Sequence, residues 1–308
     1  MEIGPCPACG GPLAPWRWVA GSDPALGQTR FELARCSSCG SAVTLGALPA
    51  GLYESGAYRP GPPRLQAAAQ PLLRLFDRRR MALVRSLAEP PARLLDAGAG
   101  RGRFVAAALA AGYDAFGIEP SERAGEEARG ARVERATIED AVVEPGSLDV
   151  VTLWHVLEHL DDPGPALGRI AGWLRPGGGL LIGVPNLASL QAQLGGDRWY
   201  HLDVPRHRVH YTPNGIRALL GSAGFTVLGI RQTLLEHNPF GMWQSLLSRI
   251  SDNPSYVYNL LKRNAPLRSR DLVLAAAALP LAPVAAGLEA VAGASGHGGT
   301  IAVLARRS

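Results

Sequence analysis

Leu94-Leu95-Asp96-Ala97-Gly98-Ala99-Gly100-Arg101-Gly102-Arg103-Phe104 decides how this chain is read. An apolar run ends in three alternating glycines, and residues without side chains let the backbone pass close to a ligand. The nicotinamide-dinucleotide loop has the spacing Gly-x-Gly-x-x-Gly. Here the third glycine comes one residue early and Arg103 takes the last slot. Asp96, just ahead of the glycines, adds a second departure, because a carboxylate there repels a pyrophosphate and attracts an ammonium. Both departures favour S-adenosylmethionine over NAD.

The flanking segments keep order with this loop. Asp114 to Glu119 reads as a second strand, and Glu119 lies about 20 residues beyond the loop, where an acidic residue hydrogen-bonds ribose hydroxyls. A weak third strand falls near Arg132 to Ala136 and a strong fourth at Leu148 to Trp154. Asp162-Pro163 opens a helix with a preferred cap and a first-turn proline, and Arg175-Pro176-Gly177-Gly178-Gly179 closes it. A fifth strand follows at Leu180 to Val184. Thr212-Pro213 opens another helix, which ends at Gly224 before the strand-like Phe225 to Ile230, so a sixth strand is expected to end near Leu235. Strands alternating with helices imply an α/β fold with a doubly wound, mainly parallel sheet.

Asp96 to Gly102, Ile118-Glu119-Pro120, Asp149 to His159 and Leu174 to Ile182 together resemble the class I S-adenosylmethionine-dependent methyltransferases. The resemblance spans about residues 64 to 235 and implies a Rossmann-like sheet of seven strands. It also implies site residues. Asp96, Gly98 and Gly100 cradle the methionine part, Glu119 holds the ribose, Thr137 and Ile138 lie against adenine, and Trp154 closes the cofactor set at the end of strand four.

Cys6-Pro-Ala-Cys9-Gly10 and Cys36-Ser-Ser-Cys39-Gly40 use every cysteine in the chain. Two-residue spacing lets both thiolates of a pair reach one tetrahedral zinc. Redox pairs and disulfides are the bland readings, and a structural zinc ribbon is preferred to them. A closed four-cysteine site leaves no position for chemistry, so this zinc folds the module. Trp16 and Trp18, between the knuckles, read as packing residues rather than as a surface for stacking bases.

With 308 residues the chain can bury one large core beside a small appendage. The expected division is a ribbon over 1–50, a linker and leading helix over 51–90, and a methyltransferase domain over 91–308 with an apolar helical insertion at about 236–298. The stretch Gly51 to Pro63, rich in glycine, proline and tyrosine, reads as linker. No signal peptide is read at the start, and thiolate zinc suits a reducing compartment, so a cytoplasmic enzyme is expected, with contact at the inner face of the membrane an added expectation. The net charge of +5 comes mostly from scattered arginine, with Lys262 the only lysine. Arg78-Arg79-Arg80 reads as a solvated helix face, and nucleic acid is disfavoured. Leu272 to Leu288 carries no charge and is interrupted by Pro280 and Pro283. An apolar lid or homodimer face, a monotopic membrane contact and a spanning helix are weighed for it, in that order.

Chemistry is expected at the carboxyl ends of strands four and five, where open parallel sheets hold ligands. His155-Val-Leu-Glu158-His159 matches the inverted zinc-protease pattern, which is set aside because these residues leave a strand instead of forming a long helix. His159 reads as satisfying local backbone groups. Asp197 to Tyr211, crowded with aromatics and imidazoles that are costly to bury, reads as a substrate lid. This segment and the knuckles resemble a methyltransferase subgroup linked with polysaccharide, lipid or secondary-metabolite clusters. Methylating a hydroxyl or an activated carbon requires removal of a proton, which an imidazole suits. His207 is the first candidate base and His155 the second. The expected acceptor is a small molecule, a sugar or a lipid-linked group. A scaffold that binds S-adenosylmethionine without turnover is the alternative, and a nucleic-acid methyltransferase the third.

Overall fold

The computed structural model describes residues 3–49, 51–52, 63–122, 124, 130–234, 236–253, 255–261 and 265–308, with 63–69 described for the backbone alone. Most of the stretch read as linker therefore falls outside the described residues, as does Leu235. The chain divides into two compact units, each discontinuous in sequence. They cut across the linear division at 50 and 90, because later stretches of chain join the ribbon.

One unit comprises residues 70–184, 216–230 and 302–308. Its sheet is built from β4 (Arg93–Ala97), β5 (Asp114–Ile118), β6 (Arg132–Glu134), β7 (Leu148–Trp154), β8 (Leu174–Pro185), β10 (Phe225–Arg231) and β11 (Thr300–Arg307), in the order β10-β11-β8-β7-β4-β5-β6. Strands β6, β5, β4, β7 and β8 pair in parallel. Leu94, Leu95, Val150, Val151, Leu180 and Leu181 are buried on consecutive positions. Such unbroken apolar runs are expected where helices cover both faces of a parallel sheet. The helices are α1 (Pro63–Arg85), α2 (Arg103–Ala110), α3 (Pro163–Trp173) and α5 (Pro213–Ser222). Asp162 caps α3 by accepting from Gly164 N at 3.2 Å, as its sequence predicts.

One boundary differs from expectation. Strand β8 begins at Leu174, not Leu180, and its register jumps from Leu148↔Leu174 to Val150↔Gly179. The Pro-Gly-Gly segment bulges out of the ladder, so the glycines interrupt pairing without ending the strand.

The other unit comprises residues up to 69, 185–215 and 231–301. Strands β1 (Leu13–Ala20), β2 (Arg30–Cys36), β3 (Ala42–Thr44) and β9 (Val209–His210) form an antiparallel sheet in that order. Val19, Phe31, Leu33 and Ala42 pack with Trp199, Leu202 and Val204. Trp16 packs against this cluster, as the packing reading expects. Trp18 corrects that reading: it is 54% exposed. Beyond the sheet lie α4 (Leu190–Gly195), α6 (Asn238–Ile250), α7 (Tyr256–Leu261), α8 (Ser269–Ala278) and α9 (Ala282–Ala294), with a 3-10 step at Leu279–Leu281. Met242, Trp243 and Leu247 of α6 pack on Ala285 of α9.

Candidate active site and cysteine centre

The loop after β4 has the backbone that its glycines permit. Gly98, Gly100 and Gly102 all have positive φ, at 79°, 53° and 80°, a region that side chains with a Cβ rarely adopt. Gly98 and Gly100 differ in what surrounds them. A Cβ on Gly98 would meet Val156 Cγ2 at 2.2 Å, whereas one on Gly100 would meet no atom of the described residues within 4 Å beyond its chain neighbours. Gly98 therefore serves internal packing and Gly100 borders open space.

Two carboxylates frame this loop. Glu119, just past β5, accepts from Gly100 N at 2.9 Å and from Ser121 N at 3.1 Å, so it fixes the loop as well as standing at the predicted ribose position. Asp96 is buried in β4. Its Oδ1 accepts from Arg80 Nη2 and Thr152 Oγ1, each at 2.5 Å. The field that Asp96 was expected to direct at an ammonium is therefore partly neutralised by a contact cation.

Arg80 is the residue that sequence reasoning missed. Arg78 and Arg79 are exposed as a solvated face requires, but Arg80 is buried. Its guanidinium lies 3.7 Å from the Phe104 ring centre and 5.0 Å from that of Trp154, within cation–π range. The signal that could have found it is the helical spacing. Asp77, three residues earlier on α1, is also buried and binds Arg103 at 2.6 Å, so this face of α1 turns inward. Arg80 Nε and Trp154 Nε1 are buried donors with no acceptor among the described residues. Orphaned donors of this kind are costly unless a ligand or water satisfies them.

Thr137 and Ile138 lie in a turn beyond β6. Thr137 Oγ1 donates to Asp140 at 2.9 Å and accepts from Asp140 N at 3.1 Å. Ile138 is buried, and its carbonyl accepts from Arg169 Nε at 2.9 Å.

At the end of β7 the chain turns sharply. His155 has φ of 58°, uncommon for a residue with a side chain and a recurring feature of functional sites. Its Nδ1 is 2.8 Å from Oε1 of Glu158, which is buried. A carboxylate in that position fixes the tautomer with hydrogen on Nδ1 and the ring's lone pair on Nε2. Leu157–His159 forms one 3-10 turn, which disposes of the inverted zinc-protease helix.

His207 sits in the other unit. It is buried, and Nδ1 lies 2.8 Å from the His201 carbonyl. The segment expected as a substrate lid is closely packed. Trp199, His201, Arg206, His207, Arg208, His210 and Tyr211 are all buried. The polar burial that looked too costly is met by partners: Arg206 pairs with Asp23 and Asp203, Arg208 donates to Gly46 O, and His210 meets Thr44 Oγ1 at 3.0 Å.

The four cysteine sulfurs lie within 4.8 Å of one another. The Cys6–Cys39 and Cys9–Cys36 separations are 3.8 and 3.5 Å, near the edge of about 3.8 Å that a tetrahedron with Zn–S bonds of about 2.3 Å requires. Gly10 N and Gly40 N donate to the carbonyls of Cys6 and Cys36, giving two matching knuckles. Burial pushes the Cys6 thiol up. Burial also acts to raise Cys36, but backbone donors at Cys39 and Ser38 together with hydrogen bonds from the Cys9 and Cys39 thiols bring the group down to about 7.

Comparison with known proteins places this geometry. A solved chain from the complex between the Haloferax volcanii Trm112 methyltransferase activator and a methyltransferase is 16% identical, with a TM-score of 0.50, covering 79% of this chain and 93% of that one. That likeness shows the fold. An uncharacterized 37.1 kDa protein in transposon TN4556 of Streptomyces fradiae is 34% identical over 113 residues, a third of each chain (33% and 33%). The ubiquinone biosynthesis O-methyltransferase of Bordetella avium is 30% identical over 177 residues, 52% of this chain and 72% of the relative. The methyltransferase domain family matches residues 64–230, which include the glycine loop, Glu119 and the β7 turn. By that match, and by a relative aligned over most of its length, the chain belongs to the class I S-adenosylmethionine-dependent methyltransferases and is an enzyme of that family.

Proposed function

We propose that the enzyme methylates a hydroxyl group on a small or lipid-linked acceptor, with His155 as the base. The observation that carries this reading is the His155–Glu158 pair, at 2.8 Å. It stands at the carboxyl end of β7, in the same unit as Asp96, Gly100 and Glu119, on the edge where parallel sheets hold their ligands. His207 belongs to a packed segment, with Nδ1 held 2.8 Å from the His201 carbonyl, so a positioning role suits it better. The choice of oxygen follows the aligned relatives, which are named for O-methylation in ubiquinone biosynthesis. A sugar hydroxyl is the second acceptor class.

S-adenosylmethionine, when bound, supplies a methyl group on a positively charged sulfur and leaves as the neutral thioether. The chain's own residues fit its parts. Gly100 borders the space, Glu119 faces the ribose, and Thr137 and Ile138 flank the adenine. Arg80 Nε and Trp154 Nε1 offer their unmet donors to the amino-acid carboxylate, while Asp96 is assigned the ammonium. As the acceptor oxygen forms its bond to the methyl carbon and the carbon–sulfur bond breaks, His155 Nε2 takes the hydroxyl proton and Glu158 balances the imidazolium. Cys6, Cys9, Cys36 and Cys39 hold one structural zinc in this proposal, with no part in the transfer.

Methyl-labelled S-adenosylmethionine, supplied with an aromatic hydroxyl acceptor bearing an isoprenoid tail or with a sugar, tests the reading. His155→Ala should lower turnover about a hundredfold without weakening cofactor affinity. Glu158→Gln should also lower turnover at unchanged cofactor affinity, since an amide no longer fixes the tautomer of the ring. Full activity in His155→Ala together with inactivity in His207→Ala would return the role to His207.

A further inference from the structure

Ser269–Ala294 forms a helical stretch of 26 residues, stepped at Leu279–Leu281, and is long and apolar enough to cross a membrane. At 1.5 Å per residue it runs about 39 Å. Its inner side packs on α6, and Trp243 Nε1 donates to the Ala278 carbonyl at 2.8 Å. Its outer side is exposed and aliphatic: Val273 is 67% exposed, Leu279 63%, Val284 58% and Val291 69%.

The charges on this stretch are inverted relative to an ordinary surface helix. Its two acids, Asp271 and Glu289, are buried. Asp271 accepts from Ser251 and Asn253 at 2.8 and 2.7 Å, and Glu289 from Gln191 and Gly299 N, both at 2.7 Å. Polar residues of an amphipathic surface helix normally face water. Here they face the protein, so no charge interrupts the outer face from Leu272 to Ala294. The residues just before it are all positive or neutral. Lys262, Arg263, Arg268 and Arg270 fall within residues 262–270, without an acid among them. Arg268 and Arg270 are exposed, although Arg270 also pairs with Asp252.

We propose that this face lies in the surface of an anionic lipid bilayer, with the aliphatic side chains in the acyl boundary and Arg268 and Arg270 at the headgroups. Stable monomers rarely expose an apolar patch of this extent, and basic groups beside an apolar face favour anionic lipid. A protein partner fits less well. Interface cores are enriched in aromatic anchors and bordered by polar rims, and residues 269–294 contain no aromatic residue. Spanning also fits less well, since Asp271, Glu289 and Trp243 tie the stretch to its own unit. The proposal does not depend on the acceptor.

Flotation of the full chain with vesicles tests it, using neutral phosphatidylcholine alone and mixed with anionic phosphatidylglycerol. Binding should be strong on the anionic vesicles, fall as salt rises, and be lost in Val284→Glu/Val291→Glu, whose thermal midpoint should match the wild type because both positions are exposed. Arg268→Gln should weaken binding by about fivefold. Failure to float on anionic vesicles overturns the proposal. So does a solution dimer that the same double variant dissociates, which would assign the face to a second copy. Resistance of the membrane-bound chain to alkaline carbonate would overturn it in favour of a spanning helix.

Discussion

The two units solve the same problem, burying polar groups, with different distances along the chain. In the unit of β4 and β7 the partners stand close to the signal that announces them. Asp96, Gly100 and Glu119 fall within 24 residues, and His155 and Glu158 within four. In the unit of the cysteines the partners are far apart. Thr212 Oγ1 donates to the Cys39 carbonyl at 2.7 Å across 173 positions, and Arg206 meets Asp23 across 183. A site built from one strand and its turn can be read from a window; a site assembled by packing distant stretches cannot.

The largest effect should come from breaking the cysteine centre. Structural zinc in small modules supplies roughly 10 kcal/mol or more of folding free energy. Cys36→Ser should therefore lose zinc by metal analysis and lower the thermal midpoint, while calorimetry finds S-adenosylhomocysteine binding retained. Loss of both together would mean that the cysteine centre also supports the cofactor site.

Arg80→Ala ranks next. Removing one member of a buried ion pair costs roughly 3–5 kcal/mol, because the other charge is left uncompensated. Denaturant unfolding should report that loss, and affinity for S-adenosylhomocysteine should fall with it. In Arg80→Ala/Asp96→Asn much of the stability should return but not the affinity. Return of both would confine Arg80 to a structural role.

These residues also mark where the sequence was legible. The order of strands, the capped helices at Asp162 and Thr212, the glycine loop and the cysteine knuckles each depend on local spacing, and the structure places them as read. Arg80 was not legible, because an Arg-Arg-Arg run carries no sign of which member turns inward; only its helical register with Asp77 does. The 197–211 segment failed for the opposite reason. Its polar residues looked too costly to bury while their partners at Asp23, Thr44 and Gly46 lay in another part of the chain. Glu289 was hidden in the same way, since an acid in an apolar run gives no hint that Gln191 and Gly299 wait for it.

A smaller effect should appear at Glu289. Burial raises its pKa above the usual carboxylate value, against hydrogen bonds from Gly299 and Gln191 that lower it. A raised folded-state pKa means that the native state takes up the proton first. Stability from this group is therefore complete below about pH 4 and declines as pH rises through the raised value. Differential scanning across pH 4 to 8 should show that slope in the wild type and a flatter one in Glu289→Gln. Equal slopes would mean that Glu289 ionises in the fold as it does in water.

Calorimetric titration with S-adenosylhomocysteine tests the central claim most directly, because it needs no acceptor. The wild type should bind it at about one per chain and should not bind NAD. Gly100→Ala should lose most of that affinity while staying folded. A Cβ there meets no atom of the described residues beyond its chain neighbours and should cost only about 1–2 kcal/mol of backbone strain, but it enters the space assigned to the ligand. Binding of NAD in place of S-adenosylhomocysteine, or undiminished binding in Gly100→Ala, would contradict the account.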